Sequence, residues 1–439
     1  MATIKPIISI VITGNTFGVE IGQMLNALSE QAYNPLRMEV VVATNAASVQ
    51  LSEEQMRQYP FDVRLIDHVY QNSDEGRNLA AAQAQGDLLL FLNSEVDPQP
   101  GLIKAHVEAH GRKPGGVVFG ADRPIWSKSL TYLAMWVRLE QGRHTQAMRQ
   151  AGYRFTYRDV PANNLSLSAN LFSRLGGFDP DCPSVGDQSF DLGMRLITAG
   201  VPLTFVENAL VQRRTLIDAE AWFRLQEQSG RTDVILASRY SALQPHLKLG
   251  IYFRPTWRAS RILRSLAFNQ PRIGHWAAAR LLQTLRHYEK RKMRRRWSWL
   301  FDSLTDYWYW RGVKATLNSE QKLASFIAEN SAWLEPAGLE IELDLMNGLD
   351  MAEQRLNDEH PASVRLTHGQ YPVGHITFQP GAEPLRGEHL RPLLATNLAM
   401  PFLQALTLNE ALYKNKLADQ PLPIFNGREQ GVAYVDQST

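Results

Sequence analysis

Two aspartates, Asp187 and Asp191, stand close together in the stretch VGDQSFDLGMRL at residues 185–196. A carboxylate held beside a bound hydroxyl group can remove its proton, which is general base catalysis. Gln188 and Ser189 lie between the two aspartates and cannot replace such a base, because a serine hydroxyl is too weak a base at neutral pH. Asp187 and Asp191 are therefore the candidate catalytic residues, although Asp191 could equally be a charge that favours a helix N-terminus.

The first half of the chain, which precedes and includes these residues, alternates short apolar runs with helical patterns. This alternation predicts βαβ units and a mostly parallel sheet with flanking helices. The predicted strands are Ile7–Ile12, Glu39–Val42, Val63–Ile66, Leu88–Leu92 and Val117–Phe119. Ligands of such sheets bind at the carboxyl ends of the strands, so we expect Thr13–Asn15, Thr44–Ala47 and Asn93–Asp97 to matter most.

The composition is that of an ordinary globular protein with more than one domain. The 439 residues suffice for two or three domains. The one cysteine, Cys182, excludes an internal disulfide and is typical of a reducing compartment. The N-terminus enters a strand-like run without a signal-peptide layout, and no apolar run approaches the roughly 20 residues that span a bilayer. We therefore expect a cytoplasmic protein.

The pattern changes twice along the chain, which predicts three parts. Residues 1–235 carry the alternating pattern, and residues 236–320 form a basic helical region. Residues 321–439 combine helices with two strand-like runs around His368–Tyr371, which predicts a hairpin in a small α+β domain.

The basic helical region has an unusual charge balance. Thirteen Lys and Arg residues stand between Arg254 and Arg296, against the single acid Glu289, with tryptophans among them. Such a run is either a solvated helix face or, over residues 254–299, a surface for an anionic membrane. Nucleic acid would need the same charge, but no recognition motif accompanies it, so this partner is disfavoured.

Several ordered motifs in residues 7–215 resemble the family 2 glycosyltransferases, which have the GT-A fold. The tail of the stretch above, Asp191 to Leu196, matches the end of the acceptor-side motif of that family. Gly76-Arg77-Asn78 resembles the Ala-Arg-Asn motif, and the segments 162–166 and 176–179 resemble further acceptor-side patterns. The resemblance covers about half of the chain and implies a GT-A sheet in residues 1–235.

Four acidic or metal-binding positions of the family carry other residues in this chain. They are Thr44 for the aspartate that holds uracil, Asn93 for the first acid of Asp-x-Asp, Ser189 for the catalytic base and Arg213 for the metal-binding histidine. Glu95 keeps a carboxylate in the metal motif, and Asp97 follows it.

The resemblance implies a donor side and an acceptor side. The donor side, which would bind the nucleotide and its diphosphate, consists of Thr13, Thr44, Asn45, Arg77, Asn93, Glu95 and Arg213. The acceptor side consists of Asn164, Gly177, Asp179, Gln188 and Ser189. Either Glu95 and Asp97 hold Mn²⁺ or Mg²⁺, or no metal is used and Arg213, with Arg77 or Arg214, binds the diphosphate through its guanidinium group.

Two functions remain open. The first is transfer of a sugar from a UDP-sugar or another nucleotide sugar to a glycan or lipid-linked acceptor, by an inverting enzyme of this family type with Asp187 or Asp191 as the base. The second is a catalytically inactive pseudo-glycosyltransferase that binds a glycan or partner glycosyltransferases in polysaccharide assembly. A membrane-binding basic region would place either protein at the inner face of the cell membrane.

Overall fold

The structure is a computed structural model that describes residues 7–14, 18–44, 52–125, 130–186, 188–213, 218–252, 258–330 and 340–418. The chain forms two compact units. The first comprises the residues up to 337 together with 378–385, and the second comprises 338–377 and the residues from 386 onward. The basic helical region belongs to the first unit, so the predicted boundaries at 235 and 320 do not coincide with this division.

An eight-stranded sheet forms the centre of the first unit. Its strands are β1 (Ile8–Gly14), β2 (Met38–Thr44), β3 (Asp62–Asp67), β4 (Leu88–Asn93), β5 (Val96–Pro98), β6 (Val117–Pro124), β7 (Leu165–Ser168) and β8 (Leu203–Arg213). They lie side by side in the order β3-β2-β1-β4-β7-β6-β8-β5. Parallel pairing joins β3, β2, β1 and β4, and also joins β6 to β8. By contrast, β7 and β5 run antiparallel to their neighbours.

The apolar runs that predicted these strands are buried on both faces of the sheet. Side chains alternate along a strand, so Ile8, Ile10 and Ile12 of β1 pack on one face and Val11 on the other. Helices α1 (Gly18–Ser29) and α4 (Leu102–Arg112) cover the first face. The second face is covered by α3 (Ser73–Ala82), α6 (Ala169–Arg174) and α7 (Phe190–Thr198). The predicted α/β fold with a large central sheet flanked by helices is confirmed.

The remaining helices of the first unit include the basic region. They are α2 (Glu53–Met56), α5 (Tyr132–Met148), α8 (Ala219–Arg239), α9 (Arg258–Asn269), α10 (Pro271–Lys290), α11 (Arg294–Leu317) and α12 (Glu320–Asn330). Helices α8 and α11 pack closely because Gly230 and Gly312 each face the backbone of the other helix. Across the whole described part of the chain, no helix combines the length and apolar character needed to cross a membrane.

The second unit contains a three-stranded sheet and three helices in its described residues. Its elements are β9 (Glu340–Asp344), α13 (Leu349–Glu359), β10 (Ser363–His368), β11 (Tyr371–Ile376), α14 (Gly387–Ala395) and α15 (Ala399–Ala418). Strand β10 pairs parallel with β9 and antiparallel with β11. The turn between β10 and β11 contains Gly369 at a φ of +61°, which favours glycine. The predicted hairpin and the small C-terminal sheet domain are therefore confirmed.

The contact between α8 and α11 can be tested by adding one methyl group. A Cβ atom at Gly312 would overlap the carbonyl oxygen of Glu227, so we expect Gly312→Ala to destabilise the protein by about 1–3 kcal/mol. Thermal unfolding measures the effect. The control is Gly142→Ala in α5, where nothing lies within 4 Å of the added atom and where alanine should stabilise the helix by up to about 1 kcal/mol. An unfolding temperature for Gly312→Ala at or above that of the parent would contradict this packing.

Candidate functional site

A cavity of about 850 Å³ opens in the first unit between β6, β8, α5 and α8. Glu95 and Arg213 line it from the side predicted for the donor, and Gln188 lines it from the side predicted for the acceptor. Trp222 of α8 forms part of the wall. One cavity thus joins residues that are more than 90 positions apart in the sequence.

The donor side of the cavity is built by the pairing of β5 with β8. Val96 lies opposite Arg213 in this ladder, so Glu95, the residue before β5, is next in sequence to the strand partner of Arg213. Arg213 forms an ion pair with Asp122 of β6, which also lines the cavity. In the described ranges, no group of three or more His, Cys, Asp or Glu side chains is arranged to hold a metal ion. Because Asp122 is paired with Arg213, its carboxylate is a poorer ligand for a divalent cation than an unpaired one.

Three further predicted donor residues, Thr13, Thr44 and Asn93, lie at neighbouring strand ends and do not line the cavity. Thr13 and Thr44 are buried at the carboxyl ends of β1 and β2. Asn93 ends β4, where its N–H donates to Oδ1 of Asn163 at 2.8 Å and its own Oδ1 accepts from the N–H of Glu95 at 3.1 Å. Asn93 therefore shapes the loop that presents Glu95.

Asp97, the second residue of the predicted metal pair, lies in β5 opposite Gln212 of β8. Asn45 and Asp187 lie outside the described residues.

Arg77 is buried and has a structural role in this geometry. Only 2% of its surface is exposed, and its guanidinium contacts Asp74 at 2.5 Å and lies over the ring of Phe178. Asp74 also accepts hydrogen bonds from the N–H and hydroxyl of Ser184. The predicted contact of Arg77 with a diphosphate does not fit this arrangement, because the side chain neither lines the cavity nor reaches solvent.

Gly177 packs against Asn78, the residue that follows Arg77 in the Gly-Arg-Asn motif. Asn78 donates to the carbonyl oxygen of Phe178 at 2.7 Å and accepts from its N–H at 2.9 Å. Gly177 has a φ of +71°, and a Cβ atom there would collide with the Asn78 side chain. The motifs at residues 76–78 and 176–179 therefore pack together. This contact accounts for a glycine at position 177 without any role in acceptor binding.

Asn164 joins three elements behind the cavity and is 1% exposed. Its amide nitrogen donates to the carbonyl oxygens of Ala121 at 3.2 Å and Ala209 at 2.9 Å, and its oxygen contacts Nε2 of His106 at 2.9 Å. Burial lowers the pKa of His106 to about 4, although the hydrogen bond to Asn164 opposes the shift. The imidazole is therefore neutral, and the predicted acceptor contact of Asn164 is replaced by a structural one.

Asp191 and Asp179 belong to a network of arginines rather than to the cavity lining. Asp191 is 2% exposed, contacts Arg195 at 2.8 Å and Arg239 at 3.0 Å, and lies in the first turn of α7. Asp179 pairs with the same Arg239. Burial alone would raise the pKa of Asp179, but the hydrogen bond and charge of Arg239 bring it below the usual value. Asp191 therefore fits the helix-charge interpretation better than the role of base.

Ser189, at the position of the expected base, is buried and bonded to the turn that carries Asp159. Its N–H donates to the carbonyl oxygen of Val160 at 3.2 Å, and Gln188 forms a backbone bridge with Pro161. Asp159, the residue before Val160, lines the cavity together with Gln188. The turn at 157–161 thus brings an acidic side chain beside the position where the motif has lost one.

Asp159 pairs with a histidine that the sequence patterns did not single out. Nε2 of His144, on α5, lies 3.1 Å from Oδ1 of Asp159, and both residues line the cavity. The hydrogen bond to Asp159 raises the pKa of His144 above its usual value, partly offset by burial. No spacing in the sequence could have indicated this pair, because it forms only where α5 packs against the turn that carries Asp159.

The comparisons with known proteins agree with the predicted family resemblance. The model of the family described as Glycosyl transferase family 2 matches residues 9–168. The chain is also similar to a protein named Validoxylamine A glucosyltransferase in Streptomyces hygroscopicus subsp. limoneus. The two are 25% identical over 307 residues, covering 62% of this chain and 64% of that protein. The protein of the same name from Streptomyces hygroscopicus subsp. jinggangensis is 24% identical, with 62% and 69% covered. This chain thus spans about two thirds of the length of these relatives.

Two solved structures show a more distant similarity. The mannosyltransferase PcManGT from Pyrobaculum calidifontis, in complex with GDP-Man and Mn²⁺, has a TM-score of 0.48 at 17% identity, covering 72% of this chain and 89% of its own. S. aureus TarS in complex with UDP has a TM-score of 0.38 at 13% identity, covering 69% and 90%. At these TM-scores the similarity adds nothing to the topology described above. The ordered motifs and the family match over residues 9–168 make the N-terminal part of this chain similar to the family 2 glycosyltransferases, and its large mixed sheet flanked by helices is GT-A-like.

Proposed function

We propose that this chain transfers a sugar from a nucleotide-sugar donor to a hydroxyl group of a glycan or a lipid-linked acceptor. The observation that carries the proposal is the single cavity in which Glu95 and Arg213 face Gln188 and Asp159. Glycosyl transfer needs two such halves, one for the departing diphosphate and one for the incoming hydroxyl. The relatives named as glucosyltransferases support sugar transfer as the reaction class.

On the donor side, we propose that Arg213 stabilises the diphosphate directly. A guanidinium group can bind two phosphate oxygens at once, and it is placed at the position where the family has a metal-binding histidine. Its ion pair with Asp122 keeps the side chain oriented along the cavity wall. Because the described carboxylates fit a divalent cation poorly, the proposed mechanism uses no metal.

The altered motifs also favour a second candidate, a module that binds a nucleotide or glycan without catalysis. Ser189 and Asn93 remove acids from both sides of the site, and Asp191 is engaged by two arginines. The two candidates differ in turnover: only the transferase releases a free nucleoside diphosphate from a donor.

A nucleotide titration tests the donor side. Calorimetry with UDP, GDP and dTDP should detect binding of at least one nucleotide, with an affinity that changes little when Mn²⁺ is added. Arg213→Gln should weaken that binding about 10- to 100-fold, because hydrogen bonds to charged groups contribute about 1.5–3 kcal/mol. The matched control is Arg123→Gln, an arginine of the adjacent strand that pairs with Glu207 and does not line the cavity. Binding that requires Mn²⁺ would contradict the metal-free donor site, and no binding of any nucleotide would contradict the transferase.

We also propose that the basic helices rest on an anionic membrane. Helix α10 exposes Arg272, Trp276 and Arg280 at intervals of four residues, which places them on one face. Trp276 is 63% exposed, and Ile273 beside it is 53% exposed. Exposed tryptophan flanked by arginine suits the boundary between lipid headgroups and acyl chains. A lipid-linked acceptor would then be bound close to the surface that holds it.

Co-sedimentation with vesicles tests this surface. Wild-type protein should sediment with phosphatidylserine-containing vesicles and not with neutral ones, and high salt should release it. The double variant Arg272→Glu/Arg280→Glu should bind at least about 30-fold more weakly, because each basic residue near such a surface contributes about 1 kcal/mol. The control with the same charge change is Arg57→Glu/Lys104→Glu, at an exposed residue that follows α2 and an exposed residue of α4. Equal binding of both double variants would overturn the proposal.

A further inference from the structure

We propose that His144, oriented by Asp159, is the general base of the transfer reaction. This inference rests on the proposed transferase function. It assigns the base to a pair of residues outside the family motif, in place of the residue that Ser189 has replaced. Three observations carry it: the pair lies in the cavity, the Asp159 carboxylate is held by several hydrogen bonds, and the turn that carries Asp159 is bonded to Ser189.

The first observation is the position of the pair. Both residues line the same cavity as Glu95 and Arg213, so a hydroxyl that enters opposite the bound donor meets the imidazole. The His144 side chain is 44% exposed, whereas that of Asp159 is 2% exposed. The carboxylate is thus covered and the ring faces accessible space, as a base that must reach a substrate requires.

The second observation is how firmly Asp159 is held. Its carboxylate accepts hydrogen bonds from the N–H of Thr156 at 2.6 Å and the hydroxyl of the same residue at 3.0 Å. The hydroxyl of Tyr153 lies 3.3 Å away. These bonds fix the carboxylate that contacts Nε2 of His144, which leaves Nδ1 as the ring nitrogen that can accept a proton.

The third observation is the connection to the lost motif. The hydrogen bond from Ser189 to Val160 places the start of α7 directly against the residue that follows Asp159. Gln188, the residue before Ser189, lines the cavity together with His144 and Asp159. The pair therefore offers a base at the cavity wall that the altered motif helps to form.

The reaction balances with this assignment. The acceptor oxygen forms a bond to the anomeric carbon of the donor sugar, and the bond from that carbon to the diphosphate oxygen breaks. The nucleoside diphosphate leaves with the electron pair, near Arg213. The hydroxyl proton moves to Nδ1 of His144 and is later released to solvent, while Asp159 stabilises the imidazolium ion.

The surroundings of His144 determine the expected pH dependence. The other charged or titratable side chains that line the cavity are Glu95, Asp122, Asp159, Arg213, Asp218 and Arg224. On its own helix, Glu140 and Arg143 pair with each other. Among the described residues, Asp159 is the one that raises the pKa of His144, first through its hydrogen bond and further through its charge. The base works only when neutral, so activity should be low in acid and rise through a pKa above 6.5.

The experiment uses the full-length protein and measures nucleoside diphosphate release, with water as the acceptor. The donors are UDP-glucose, UDP-N-acetylglucosamine, GDP-mannose and dTDP-glucose. Wild type should release diphosphate from at least one donor. Its rate should fall toward acid pH as His144 is protonated, and this part of the pH profile is called the acid limb. His144→Gln should lower kcat about 100-fold or more, as expected for loss of a general base, with unchanged donor KM and unfolding temperature and without the acid limb.

Three further variants separate catalysis from structure. Asp159→Asn should retain part of the activity and move the acid limb to lower pH, because the interaction that raises the pKa of His144 is lost. Added imidazole should restore activity to His144→Ala in proportion to its concentration. The control His246→Gln replaces an exposed histidine of the first unit that is absent from the cavity and should match wild type.

The outcomes distinguish failure of the transferase function from failure of the assignment of His144 as the base. If wild type neither binds a nucleotide nor releases diphosphate from any donor, the transferase function fails, and the assignment of the base fails with it. Binding without release in wild type supports the non-catalytic module and overturns the base. If wild type is active and His144→Gln keeps both its rate and its acid limb, only the assignment of His144 is wrong.

Discussion

The N–H group of Ser189 donates a hydrogen bond to the carbonyl oxygen of Val160, and Gln188 forms a backbone bridge with Pro161. These contacts hold the start of α7 against the turn at 157–161, and the acceptor wall of the cavity depends on them. Gly193 makes the close approach of α7 possible, because a Cβ atom there would collide with the backbone of Tyr157. The glycine of the acceptor-side motif is thus explained by packing alone. The same packing holds the turn that carries Asp159, the partner of His144, against the start of α7.

Other motif residues also serve the fold. Asn78 holds the turn at Gly177, Asn164 joins β6 and β8 through backbone carbonyls, and Arg77 satisfies a buried carboxylate. A buried polar group is costly unless it is paired, so each of these residues is needed whether or not a sugar is transferred. A chain can therefore match the family pattern at many positions and still differ in chemistry. In this chain, the residues that line the cavity decide the function.

The sheet and its site-bearing edge were predictable because β1, β2 and β4 are continuous apolar runs buried on both faces. The direction of β7 was not predictable, since the four residues Leu165–Ser168 carry no signal that separates parallel from antiparallel pairing. Glu95 and Arg213 could be assigned to one site because each follows or ends a strand. Two pairs in the cavity could not be predicted from the sequence. Asp122 meets Arg213 through strand register, and His144 meets Asp159 through tertiary packing. The sequence of α10 indicated its charge, whereas the structure was needed to show that Trp276 lies exposed among the arginines.

In the proposed reaction, one cavity holds a donor at Arg213 and an acceptor at the His144–Asp159 pair. The most direct test is a crystal structure of this protein with a hydrolysis-resistant analogue of the nucleotide sugar that it binds best. We predict diphosphate oxygens within hydrogen-bond distance of the Arg213 guanidinium, and an anomeric carbon whose open face is directed toward His144. A nucleotide bound outside the cavity, or an anomeric carbon whose open face is directed at another base, would contradict it.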